Sequence, residues 1–217
     1  MIKLMIFDFD GTLVNTIYDL GDSINEALKI NGWNKEYSYV ETKVLIGSGI
    51  RVLCTRALNY IEHTIEDEEK LFKDFQICYK KNQLNKTKPY EGVVDTLHKL
   101  KEQGIKIAIL SNKRNENTNA ITNHVFEPNL FDEVVGQLPD VPLKPNPTSV
   151  LSMIDRFGVK KEEVLYIGDS DTDMKTADNA SLTKVAVTYG YRDKEVLETY
   201  KPDYMIDSFD ELLDIVK

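Results

Sequence analysis

The sequence predicts an α/β fold: a mostly parallel sheet covered by helices on both faces, with a small helical domain inserted after the first strand. Three observations predict it. Leu4-Met5-Ile6-Phe7 is an apolar run of strand length near the N-terminus. From Tyr90 onward, short apolar runs alternate with helical periodicity, the grammar of a parallel sheet with crossover helices. Between them, apolar residues recur only at helical spacing. The expected division is a core of residues 1–13 and 86–217 and a helical insert of residues 14–85.

Within the insert, Thr16 stands where a helix cap would, ahead of Ile17, Leu20, Ile24, Ala27 and Leu28 on one face, and Gly32 would stop that helix. Ile50, Leu53, Cys54, Ala57, Leu58 and Ile61 form a second stripe; Leu71, Phe72, Phe75 and Cys78 mark a third, from about Glu66 to Leu84. The polar run from Asn85 to Pro89 reads as the linker out. In the core, Val93, Val94, Leu97 and Leu100 make a helix closed by Gly104, and Ile105 to Leu110 is a strand. A polar helix from about Asn115 to Asn123 and a short strand at Glu133 to Val135 follow. Thr148 to Phe157 is helical, Val164 to Ile167 a strand, Thr172 to Ala180 a helix and Lys184 to Val187 a strand. A weaker helix, a strand at Tyr204 to Ile206 and a last helix complete the chain.

Composition narrows the function classes. At 41 % hydrophobic and 29 % charged, the 217 residues are ordinary globular material with enough apolar residues for a core. A net charge of -9 argues against a nucleic-acid or anionic-membrane binder, because phosphate backbones repel such a surface. Asp8 and Asp10 interrupt the one N-terminal apolar run, and no stretch has the length of a membrane span. Cys54 and Cys78 fall on apolar helical faces without metal or redox spacing, which fits buried thiols and a cytoplasmic location.

Four polar clusters follow strands or lie on loops at one sheet edge: Asp8-Phe9-Asp10-Gly11-Thr12, Ser111-Asn112, Lys144-Pro145, and Gly168-Asp169-Ser170-Asp171-Thr172-Asp173. In open parallel sheets that carboxyl edge is where ligands gather. Asp-Gly alone is common turn chemistry; the convergence of distant clusters is what favours a site. Asp8, Asp10 and Asp169 crowded there would repel, so either some stay protonated or a cation sits among them. With oxygen donors and no His or Cys nearby, a hard ion such as Mg²⁺ fits better than Zn²⁺. An EF-hand is excluded by Met174 and Ala180 at its turn and closing positions, and Asp171 reads as a helix cap. Ser111 could bind a phosphate oxygen or merely cap a helix. Lys144, stiffened by Pro142, Pro145 and Pro147, is expected to point inward.

In this order and spacing, the four clusters make the chain resemble a haloacid dehalogenase superfamily hydrolase of the phosphatase branch, over essentially its whole length. The resemblance implies a Rossmann-like core with a helical cap. It implies Asp8 as a nucleophile forming an aspartyl-phosphate, and Asp10 as the acid and base. It further implies Mg²⁺ held by Asp8, the Asp10 carbonyl and Asp169 with support from Asp173, and a phosphoryl group bound by Thr12, Ser111, Asn112 and Lys144. Asn15 stands where such relatives commonly carry Asp, and Ser181 where they often carry Gly.

The insert resembles the cap of phosphoglycolate phosphatases and related pyrophosphatases through Ile46-Gly47-Ser48-Gly49-Ile50-Arg51, Lys88 to Val93 and Ser111-Asn112-Lys113. Gly47, Ser48 and Arg51 are the expected contacts for an anionic substrate tail, since a Gly-rich helix start offers N–H groups. The expected partner is a small phosphorylated metabolite, handled by a monomer or homodimer. Pyrophosphate hydrolysis and sugar-phosphate mutation with the same nucleophile are the alternatives, although no second acid–base group for a mutase stands out.

Overall fold

A computed structural model describes residues 1–47, 49–59 and 61–216. The chain divides into two compact units, Met1–Asn15 with Pro89–Lys217, and Thr16–Lys88. The junctions thus fall at 15/16 and 88/89, against the expected 13/14 and 85/86.

The first unit starts with β1 (Leu4–Phe7) and the two-residue β2 (Val14–Asn15). After the second unit the chain returns through β3 (Lys88–Pro89), which pairs with β2. Then come α5 (Val93–Glu102), β4 (Lys106–Arg114), α6 (Asn115–Val125), β5 (Glu133–Gln137) and α7 (Thr148–Phe157). The last part is β6 (Val164–Gly168), α8 (Asp171–Ala180), β7 (Thr183–Val187), α9 (Lys194–Glu198), β8 (Tyr204–Ile206) and α10 (Leu212–Ile215). The main sheet has the order β5-β4-β1-β6-β7-β8, with every neighbouring pair parallel.

All four residues of β1 are fully buried, which a central strand covered on both faces requires. Alternate side chains go to opposite faces. Leu4 and Ile6 join Val150, Met153 and Ile154 of α7 and Ala177 and Ala180 of α8 in one cluster. Phe7, on the other face, meets Phe209 with ring centroids 5.6 Å apart. Each of the larger side chains among these contributes roughly 1.5–3 kcal/mol by burial. From β1 the chain moves first to β4 and β5, then returns to build β6, β7 and β8 on the opposite side. The order therefore reverses at β1, and the carboxyl ends of β4, β1 and β6 flank that reversal.

Two differences from the sequence reading arise here. β4 continues past Leu110 through Ser111, Asn112 and Lys113 to Arg114, with an irregularity in its pairing to β5. Ser111, Asn112 and Lys113 are buried and find partners in the strand and its neighbours, so their polarity did not end it. Ser170, not Asp171, is the N-cap of α8; its hydroxyl accepts from the Asp173 N–H while the Asp173 carboxylate accepts from Ser170, a reciprocal capping box. Ser181 closes that helix at φ +57°, the left-handed conformation that favours Gly there.

The second unit is helical: α1 (Ile17–Ile30), α2 (Tyr39–Lys43), α3 (Ile50–Leu58) and α4 (Ile65–Asn82). Leu20, Ile24, Leu28, Leu53, Leu71 and Phe75 are buried in it, as are the free thiols of Cys54 and Cys78. Thr16 holds the N-cap position of α1, but its side chain makes no capping bond. The buried Asp19 carboxylate is satisfied by the N–H groups of Lys86 and Thr87 and the Thr87 hydroxyl. Helix α2 was not anticipated; Ser38 and Glu41 form its capping box. Among the described residues, no helix is long and apolar enough to cross a membrane.

Candidate active site

Asp8 is the first residue beyond β1. Its N–H donates to the Ile167 carbonyl of β6 at 2.8 Å, and its Oδ1 accepts from the Phe9 N–H at 2.6 Å. Phe9 is wholly buried, and Leu13 and Val14 both donate to its carbonyl, closing a tight turn around Gly11. Gly11 sits at φ +87°, and a Cβ there would lie 2.3 Å from Asp169 Oδ2, so the turn admits only glycine.

Lys144 answers the charge on Asp8. Its ammonium is 2.7 Å from Asp8 Oδ1 and 2.8 Å from Asp173 Oδ1, and its side chain is only 3 % exposed. Burial works against this charge, but the carboxylates of Asp173 and Asp8 outweigh it and hold the ammonium well above the ordinary lysine value. The Lys144-Pro145 peptide is cis. Asn112, expected among the substrate contacts, clasps the Lys144 backbone: its Oδ1 accepts from Lys144 N–H at 2.8 Å, and its Nδ2 donates to the Lys144 carbonyl at 3.0 Å. Ser111 is buried on β4, and its hydroxyl oxygen accepts from the Lys113 N–H.

Asp169 follows β6 directly. Its Oδ2 accepts from Tyr191 N–H at 2.8 Å and its Oδ1 from the Thr12 hydroxyl at 3.2 Å. Thr12, also expected to touch substrate, is thus engaged with this carboxylate. The segment after β7 closes over Asp169, and a Cβ on Gly190 would lie 2.2 Å from Asp169 Cβ. Asp173 is fully buried: Oδ1 meets Lys144 and the Tyr166 hydroxyl, and Oδ2 accepts from Ser170.

Asp8, Asp169 and Asp173 each present an oxygen within 4.8 Å of the others. The Asp10 carboxylate lies outside that trio and pairs instead with Lys113, whose Nζ is 3.1 Å from Asp10 Oδ1. Burial, chiefly, and then the charge of Asp173 push the Asp8 carboxyl well above the usual carboxylate range. The same two causes raise Asp169 to about 7. One ammonium does not balance three buried carboxylates, and all three ligands are hard oxygens. A hard divalent cation fits this donor set.

The sign of the resulting pH dependence follows from linkage. With pKa values raised on folding, the folded protein binds more protons than the unfolded chain between about pH 4 and pH 7, and stability falls across that interval. A cation among the ionised carboxylates offsets this loss. Mg²⁺ near 100 times its dissociation constant is therefore expected to raise Tm by about 5–10 °C at pH 8 but by little at pH 5. Thermal melts with and without Mg²⁺ check this, and Asp169→Asn should remove most of the difference.

The remaining expected contacts lie in the helical unit. Gly47 is on the segment entering α3, and Ser48 lies outside the described residues. Arg51 is exposed; its guanidinium pairs with Glu69 at 2.9 Å and stacks over Phe72. Arg56, which the sequence reading passed over, donates to the carbonyls of Val44, Leu45 and Ile46. In the first unit the sequence reading assigned no role to Lys113, noted only within Ser111-Asn112-Lys113, and passed over the Tyr189-Gly190-Tyr191 segment. The inward place of Lys113 could have been found by strand alternation, since it shares a face with Ser111.

Residues 5–187 match the family model for haloacid dehalogenase-like hydrolases. A phosphoglycolate phosphatase of Mannheimia succiniciproducens is 33 % identical over 225 aligned positions, covering 99 % of this chain and 98 % of that protein. One from Haemophilus influenzae strain 86-028NP is likewise 33 % identical, with the same coverage. A crystal structure of a predicted phosphoglycolate phosphatase from Haemophilus somnus 129PT superposes with a TM-score of 0.92 at 33 % identity, covering all of this chain and 98 % of that one. With the acidic trio and its buried lysine at the strand-order reversal, this match over nearly full length places the chain in the haloacid dehalogenase-like hydrolases, as a phosphatase of the phosphoglycolate phosphatase-like group.

Proposed function

We propose that the enzyme is a Mg²⁺-dependent hydrolase of a small phosphomonoester, with 2-phosphoglycolate as the first candidate substrate, and that it works through a phosphorylated Asp8. The observation that carries this reading is the Asp8 carboxylate held 2.7 Å from the Lys144 ammonium beside Asp169 and Asp173. Asp8 is fixed by β1 and its turn, so its oxygen can meet phosphorus with little reorganisation. Lys144 stabilises the charge of the transferring phosphoryl group, and Asn112 fixes the backbone from which that ammonium projects. Asp10 gives a proton to the leaving oxygen and later takes one from the attacking water. Asp169, braced by Thr12 and the Tyr191 N–H, would hold Mg²⁺ together with Asp8, the Asp10 carbonyl and Asp173. When bound, the ion supplies neutralising charge for the carboxylates and the phosphoryl oxygens.

The names of the relatives support phosphoglycolate as the first substrate to try. The test is a panel of small phosphate esters and pyrophosphate, ranked by kcat/KM with Mg²⁺ and after chelation. The expected result is Mg²⁺-dependent release of inorganic phosphate with 2-phosphoglycolate among the best substrates. Activity that survives chelation would remove the metal from the account. Preference for pyrophosphate would change the substrate assignment, and phosphate passed between sugar hydroxyls would make the enzyme a mutase.

A further inference from the structure

Tyr189 takes no part in the proposed chemistry, yet it ties the segment after β7 to the turn that follows Asp8. Its hydroxyl donates to the Thr12 carbonyl at 3.0 Å. The Thr12 hydroxyl in turn donates to Asp169 Oδ1 at 3.2 Å, and Asp169 Oδ2 accepts from the Tyr191 N–H at 2.8 Å. These three hydrogen bonds close a ring that runs from Thr12 through Asp169 to Tyr191 and back along the chain to Tyr189. Gly190 lets it close tightly: a Cβ there would lie 2.2 Å from Asp169 Cβ and 2.6 Å from the Gly11 carbonyl oxygen, so the segment lies against both acidic loops. Tyr189 is itself held, since its ring packs on Tyr90 with centroids 4.9 Å apart and the Tyr90 N–H donates to the Leu13 carbonyl beside Thr12. Thr12 belongs to the tight turn closed on the Phe9 carbonyl, so fixing Thr12 against Asp169 also fixes the spacing between Asp8 and Asp169.

We propose that Tyr189 is a positioning residue for the metal site, and that the ring it closes favours Mg²⁺ against Ca²⁺. The inference deepens the proposed function and rests on its reading of Asp8 and Asp169 as ligands. Mg²⁺ demands near-octahedral oxygens at about 2.0–2.1 Å, whereas Ca²⁺ takes a looser shell at about 2.3–2.6 Å, so the stiffness of a cradle decides between them. The oxygens of Asp8, Asp169 and Asp173 already lie within 4.8 Å of one another, and the ring resists the outward shift that the larger ion requires. The bonds from Thr12 and Tyr191 use two of the roughly four lone-pair positions of the Asp169 carboxylate, which leaves it able to meet a cation. Partners that orient a ligand in this way govern affinity without touching the ion.

Titration calorimetry of the whole protein at pH 8 with magnesium or calcium chloride, without substrate, reads this directly. Tyr189→Phe removes only the hydroxyl, and it should weaken Mg²⁺ binding by about tenfold while changing Ca²⁺ binding by less than about threefold. The looser cradle fits the larger ion better, which offsets what Ca²⁺ loses in preorganisation. Thr12→Val opens the same ring elsewhere and should shift the ratio of the two Kd values in the same direction; Thr12→Ser keeps the hydroxyl and should restore it. The double variant Tyr189→Phe with Thr12→Val should be no worse than the stronger single change, because both open one ring. Should Tyr189→Phe fail to fold in a metal-free urea melt, the two Thr12 variants decide by the same ratio. Equal weakening of both ions, or an unchanged ratio, would overturn the proposal. Asp169→Asn is the control for the underlying reading. If it abolishes the Mg²⁺ binding seen in the wild type, the ligand assignment stands and the ratio alone judges Tyr189. If it binds Mg²⁺ as the wild type does, the ligand assignment fails and the role of Tyr189 falls with it.

Discussion

Asp8→Asn should lower kcat by about 10⁴-fold or more on every phosphate ester, since loss of a covalent nucleophile removes the reaction path itself. The amide keeps the shape of the carboxylate while lacking its nucleophilic charge. Folding should survive, because the variant trades a buried carboxylate with a raised pKa for a neutral group. Initial rates with 4-nitrophenyl phosphate and Mg²⁺, alongside a urea melt, check both halves. A variant that retains a tenth of the activity would show that phosphorus is attacked by something other than Asp8.

Lys144→Met carries the second large effect, on stability as well as rate. The ammonium contacts both Asp8 and Asp173, and without it these acids and Asp169 repel one another in a buried setting. Removing one partner of a buried ion pair costs about 3–5 kcal/mol. That loss should appear in metal-free urea melts near pH 8 and shrink near pH 5, where the raised carboxyls of Asp8 and Asp169 take up protons and the repulsion fades. The kcat/KM should fall by about 10³-fold, the scale of losing a fixed charge that stabilises a transition state. A uniform stability loss across pH would mean that packing of the lysine stem, not its charge, is what matters.

What could be read from the sequence divides along physical lines. The sheet was legible because Leu4 to Phe7, Ile107 to Leu110 and Val164 to Ile167 are apolar on both faces, as buried parallel strands must be. The meeting of Asp8, Lys144, Asp169 and Asp173 followed from strand ends converging where strand order reverses. The extension of β4 through Ser111 to Arg114 was not legible, because buried polar side chains on it find partners distant in sequence, as Asn112 does in Lys144 and Lys113 in Asp10. Thr12 presents the same difficulty: its partner Asp169 is far along the chain, and a hydroxyl beside an Asp-Gly turn suggests many partners. The burial of Lys113 against Asp10 was hidden by the habit of lysine to face water. Helix α2, by contrast, did leave a signal in Ser38 and Glu41, a Ser-x-x-Glu cap that was passed over.

Borohydride reduction of enzyme quenched in acid during turnover tests the central chemistry most directly, because it turns an acyl phosphate into an alcohol at the residue that carried it. With Mg²⁺ and 2-phosphoglycolate, or the best substrate of the panel, peptide mass spectrometry should find homoserine at position 8 and leave positions 10, 169 and 173 unchanged. Full turnover with position 8 unmodified, and reduction at another carboxylate or at none, would contradict the account.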